Sequence, residues 1–110
     1  MPQFAENLKK LPGISHLAAI NLLDADGKVV AVIENKAGSQ GSLAVYNHLA
    51  QTYGAITPDA ARKGLELYAE HAEDARQNPG KHPNIDRLIE LAGAGKAMLR
   101  LKHVFAIESN

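Results

Sequence analysis

The sequence predicts an α+β fold in which a small antiparallel sheet, made of a hairpin and a C-terminal strand, is covered by helices. Two observations define the sheet. Apolar, branched-residue-rich runs, "HLAAINLL" and "KVVAVIEN", flank "DADG", whose Asp26–Gly27 pair suits a tight turn needing positive φ. Near the C-terminus, "KAMLRLKHVFAIE" sets Leu99, Leu101, His103 and Phe105 against Met98, Arg100, Lys102 and Val104, the period of a half-buried strand. A third observation supplies the cover: the intervening chain shows three stretches of helical periodicity. The predicted order is α-β-β-α-α-α-β, in a single domain spanning residues 1–110.

The first element is short. Pro2 precedes "QFAENLKKL", where Phe4, Leu8 and Leu11 share a thin apolar stripe that ends at Pro12–Gly13. After the hairpin, Leu43, Val45, Tyr46, Leu49, Ala50 and Tyr53 predict an amphipathic helix from Ser42 to a stop at Gly54.

The next segment, "TPDAARKGLELYAEHAEDARQNPG", reads as one helix. Thr57 is its N-cap, Pro58 its first residue, Asp59 complements the dipole, and Asn78–Pro79–Gly80 stops it. Ala60, Ala61, Gly64, Leu65, Leu67, Tyr68, Ala72 and Ala75 form its buried stripe. The opposite, solvated face is charged, with Arg62–Glu66 and Glu73–Arg76 as expected ion pairs. A last helix in "NIDRLIELAG" takes Asn84 as cap, buries Ile85, Leu88, Ile89 and Ala92, and ends at Gly93 and Gly95.

At 110 residues the chain is long enough to bury a core without disulfides or a structural metal. A 45% hydrophobic and 22% charged composition is that of a folded soluble protein. Twelve basic residues balance twelve acidic ones, and the aromatics are limited to Phe4, Tyr46, Tyr53, Tyr68 and Phe105, so no nucleic-acid partner is expected. Near-zero net charge gives little resistance to self-association, which leaves a homodimer or a protein partner open. The absence of cysteine removes thiolate nucleophiles and cysteine-ligated metals. No secretory leader and no membrane-spanning run is read from the sequence, so the expected compartment is the cytoplasm.

The residues from Lys36 to Ser42 suit an anion. Lys36 opens the loop, Gly38 and Gly41 let a ligand near the backbone, and Ser39 and Ser42 place hydroxyls at a helix N-terminus. A Walker loop needs lysine followed by serine or threonine after its second glycine, and Ser42–Leu43 stands there instead. Nor does Gly38-Ser39-Gln40-Gly41 have the glycine spacing of a dinucleotide fingerprint. The structural alternative makes Ser42 or Ser39 an ordinary helix cap.

A polar site is the second candidate. Glu70, His71 and Asp74 share one helix, and His82 follows in "NPGKHPNI". The parity of His103 puts it with the core-facing residues of its strand. Each histidine also has a purely structural reading as a satisfied interface, turn or core residue, and the spacing does not make a metal centre. No cofactor is implied, and no catalytic residue is assigned. Ser15, Ser39, Ser42 and Ser109 lie outside any G-x-S-x-G pattern or acid–histidine order. Lys96, Arg100 and Lys102 read as a charged strand surface that blunts an edge.

With "IENKAGSQGSLAVYNHLA" and "NPGKHPNIDRLIEL" both in view, the chain resembles a family of small bacterial proteins known only as a domain of unknown function. The likeness covers nearly the whole chain. It implies a bacterial, cytoplasmic, single-domain protein and carries over no activity or site residue. Two functions therefore follow from the residues: a non-enzymatic binding or interaction module that captures an anion at residues 36–42, or a small-molecule enzyme using Ser39, His71, His82 and His103 in one pocket.

Overall fold

A computed structural model of the chain describes residues 3–93 and 98–107. Pro2, Gly95, Lys96 and Ser109, which entered the sequence reading, lie outside the described residues.

The elements run α1 (Phe4–Leu8), β1 (Leu17–Leu23), β2 (Val29–Glu34), α2 (Gln40–Tyr53), α3 (Pro58–Tyr68), α4 (Glu70–Gln77), α5 (Pro83–Ala92) and β3 (Arg100–Phe105). The class is α+β, as the sequence predicts, with the long helix expected over residues 57–78 divided in two. At the division, Ala69 adopts φ 53° and ψ −118°, a positive-φ conformation outside the helical wells that ends α3 and starts α4.

The three strands form an antiparallel sheet in the order β2-β1-β3. The hairpin closes through Asp24, whose carboxylate accepts from the backbone N–H groups of Asp26 and Lys28 at 2.9 Å each, while Gly27 supplies φ +81°. Across the sheet, Ile20 is in register with Ile33 and His103, and Leu22 with Ala31 and Leu101. This row faces the helices: Ile20, Leu22 and Ile33 belong to the same buried cluster as Leu43, Val45, Tyr46 and Leu49 of α2. Helix α3 packs between α2 and α5, and α1 lies against α2 and α3.

Several local expectations hold. Thr57 Oγ1 accepts from the Ala60 N–H at 3.1 Å, and Gly54 ends α2 in the left-handed region with its N–H on the Ala50 carbonyl. Ala60, Ala61, Gly64, Tyr68, Ala72 and Ala75 are buried, with Leu65 and Leu67 half-buried at the stripe's edge. Gly64 lets α3 approach closely there, since a Cβ would stand 2.7 Å from Leu88 Cδ1 and 2.9 Å from Leu49 Cδ1 and displace both side chains.

Others are corrected. Neither Ser42 nor Ser39 caps α2 with its side chain: Ser39 occupies the N-cap position, but its hydroxyl turns back to the Glu34 carbonyl at 2.6 Å. Helix α5 starts at Pro83, so His82 holds the cap position and Asn84 falls inside the first turn. Arg62 pairs with Asp59 rather than Glu66, and Lys63 takes Glu66 at 3.5 Å; Arg76 and Glu73 do pair, at 3.7 Å. At the end of β3, past the β1–β3 register shift between Leu17 and Ala19, Phe105 is 64% exposed rather than core-facing.

Candidate functional site

Two segments about 40 residues apart in sequence meet at a cleft of about 340 Å³. One is the turn into α2, which contributes Gly38 and Ser42. The other is the α4–α5 region, which contributes His71, Lys81 and His82. Phe4 and Tyr68 fill the space between them.

Tyr68 sets the floor. It is 2% exposed at the end of α3, and its hydroxyl donates to Ser42 Oγ at 2.6 Å. Burial pushes its phenol well above the usual range, so the group is a neutral donor across the physiological interval. The ring stacks on Phe4 with centroids 5.1 Å apart, and Phe4 in turn meets His71 in a T-shaped pair at 5.1 Å. Gly41 permits this stack, because a Cβ there would meet the Phe4 ring at 2.9 Å. The backbone N–H of Phe4 donates to Glu70 Oε1 at 2.7 Å, which draws the Glu70 carboxyl below its ordinary range.

The opposite wall is polar. His71 and His82 stand with ring centroids 5.9 Å apart. His82 Nε2 is 2.6 Å from Asp74 Oδ2, and Lys81 Nζ is 3.0 Å from the same oxygen. The hydrogen bond from His82, followed by that from Lys81, pulls the Asp74 carboxyl down to about 2. An ionised Asp74 can only accept, so His82 Nε2 carries the hydrogen of this bond and its Nδ1 is left to face other partners. The turn that delivers this pair is held by Gly80, whose φ is +93° and whose N–H donates to Asp86 Oδ2 at 2.9 Å. Behind the cleft, Tyr46 donates to the Asn84 carbonyl at 2.6 Å and receives Arg87 Nη1 at 3.2 Å. Burial raises the Tyr46 phenol to about 12 against the opposing effect of Arg87.

The residues singled out in the sequence thus divide. Gly38, Ser42, His71 and His82 line one cleft. Lys36 points back to Glu34 at 3.7 Å, Ser39 spends its hydroxyl on the Glu34 and Lys36 carbonyls, and Gly41 faces Phe4. His103 is remote from the cleft and bonds Asn47 Oδ1 at 2.9 Å between β3 and α2. Among the described residues no group of three or more side chains could hold a metal ion. Tyr68, Lys81 and Phe4 are cleft residues that sequence reasoning missed. Lys81 had a signal in its adjacency to His82, whereas Tyr68 and Phe4 read only as apolar stripe.

These features define a small α+β protein with a histidine-walled cleft between its helices and the turn that follows the hairpin. Residues 4–102 match the model of a family described as an uncharacterized protein conserved in bacteria (DUF2322), and the chain belongs to that family. No curated protein and no solved structure shows a significant match. Among the described residues no helix is long and apolar enough to cross a membrane.

Proposed function

We propose that this protein is a single-domain cytoplasmic binding module whose cleft takes a small anionic ligand, one bearing a phosphate or carboxylate group. The observation that carries the reading is the approach of His71 and His82, with Lys81, to the turn containing Gly38 and Ser42. The Lys81 ammonium is a charge-assisted donor to an oxyanion, the imidazoles supply further polar ring edges beside it, and Gly38 at φ +93° leaves its backbone open to close approach. Phe4 and Tyr68 provide an apolar wall beside those donors, the combination common in small-molecule sites. Lys36, placed on Glu34, has no part in this site.

The test is a phosphate titration followed by NMR. Saturable shifts at millimolar phosphate are expected for the amides of Gly38, Lys81, His82, Asn84 and Ile85 and for the ring protons of His71 and His82. An unsaturating response, or one equal across the whole spectrum, removes the reading. The Asp74–His82 pair also favours a second function, general acid–base chemistry on the bound ligand by an imidazole that a carboxylate orients. Turnover of a phosphate or carboxylate ester that is lost in Asp74→Asn, with phosphate binding retained, would select it over simple capture.

A further inference from the structure

The hydroxyls around the cleft divide by where their hydrogens go. Tyr46 gives its hydrogen to the Asn84 carbonyl, Ser39 returns its own to the Glu34 carbonyl, and Tyr68 gives its to Ser42 Oγ at 2.6 Å. The direction of that last bond follows from burial. Were Ser42 the donor, the phenol hydrogen of a residue only 2% exposed would be enclosed without an acceptor. A hydroxyl has one hydrogen and two lone pairs, so Ser42, having accepted, still has a hydrogen to give. Serines in helices commonly return it to a carbonyl three or four residues back. Ser42 makes no such bond, and among the described residues its hydroxyl has no acceptor. Half-buried, it lines the cleft with Gly38, His71, Lys81 and His82.

We propose that Ser42 contacts the ligand of this cleft: its hydroxyl donates to an oxygen of the bound oxyanion, and Tyr68 is the positioning residue that holds it for that task. The proposal rests on the reading of the cleft as an anion site and adds the group that recognises the anion's oxygen. Two effects of the Tyr68 bond matter. By taking one lone pair of Oγ from the floor of the cleft, it restricts the directions open to the Ser42 hydrogen. A hydroxyl that accepts a hydrogen bond also becomes a stronger donor, so the buried phenol polarises the Ser42 O–H. The Phe4 ring stacked on Tyr68 steadies the phenol, and Gly41 admits that stack. Lys81 shares its charge with Asp74 at 3.0 Å, which leaves more of the recognition to neutral donors such as this one. An anion with two or more oxygens, a phosphate or a carboxylate, can be divided between the two residues.

The test is a set of NMR titrations at constant ionic strength on wild type, Ser42→Ala, Tyr68→Phe and the double variant. Inorganic phosphate and acetate serve as probes for the two oxyanion classes, and the comparison is made on whichever binds the wild type more tightly. Ser42→Ala should raise Kd about tenfold or more, and Tyr68→Phe about threefold. The double variant should bind as Ser42→Ala does, because Tyr68 acts through Oγ alone. Ser42→Thr keeps a hydroxyl and should stay within about threefold of wild type. Circular dichroism melts verify that each variant is folded at the titration temperature; should Tyr68→Phe fail there, Ser42→Ala against Ser42→Thr carries the test. A merely structural Tyr68 would lower the melting temperature and leave Kd unaltered. A Ser42→Ala Kd equal to that of wild type overturns the proposal while the anion site stands. Additive losses in the double variant overturn the positioning role of Tyr68. A wild type that binds neither probe removes the site itself, and this proposal with it.

Discussion

Asp74 and His82 lie eight residues apart, across the Asn78–Gly80 turn, and their side chains meet at 2.6 Å. The contact fastens the end of α4 to the start of α5 and defines one wall of the cleft. It also has a pH signature. The Asp74 carboxyl falls from an ordinary 3.8 to about 2 in the folded chain, so the unfolded state binds the proton more tightly. The contribution is full above 3.8 and is lost as pH falls through about 2. Thermal melts should show wild type above Asp74→Asn at pH 7, with the gap narrowing between 3.8 and about 2. A gap that is constant with pH would mean that the carboxylate is not what holds the turn.

The Tyr68–Ser42 hydrogen bond joins α3 to the first turn of α2 at the cleft floor. Tyr68→Phe keeps the ring on Phe4 and removes one buried hydroxyl bond, so urea unfolding should show a loss of about 1 kcal/mol. Tyr68→Ala also removes the stack and leaves a cavity, for about 3–5 kcal/mol. Equal losses in the two variants would assign the whole effect to the hydroxyl.

Much of the fold could be read in the sequence because the deciding signals are local. Thr57–Pro58 starts a helix whatever lies nearby, Gly54 stops one, and the alternation from Leu99 to His103 suits only a strand. The break at Ala69 has no such signal, since alanine is the best helix former and Tyr68, Glu70 and His71 are tolerated in helices. What accompanies the break is tertiary: Tyr68 reaches Ser42, and Glu70 reaches the Phe4 N–H. The cleft was hidden for the same reason. Its candidate residues were visible one by one, but their meeting depends on how α2 packs on α3 and α3 on α5, which no spacing along the chain encodes.

Ala69 consequently gives a prediction opposite to the one its residue type suggests. In a continuous helix, Ala69→Gly would cost about 1 kcal/mol. At φ 53° and ψ −118° an alanine is strained and a glycine is not. The substitution should therefore stabilise the protein by about 1 kcal/mol in denaturant unfolding, with the helical circular dichroism unchanged. Destabilisation would mean that residues 57–78 form one helix.

Asn47 carries the last prediction. It is the one buried polar or charged residue among those described, fully enclosed on α2. Its Oδ1 lies 2.9 Å from His103 Nε2, while Nδ2 has no hydrogen-bond partner among the described residues. A buried amide used by only one of its two ends is costly, whereas an apolar side chain of similar volume gives up one hydrogen bond and is relieved of the unsatisfied donor. His103 is only half-buried, so after substitution its ring can turn to water. Asn47→Leu should accordingly leave stability within about 1 kcal/mol of wild type or raise it, while Asn47→Ala, which opens a void at this buried position of α2, should lower it by about 1–2 kcal/mol. Loss of more than this in the leucine variant would show that the amide makes a second, essential bond in solution.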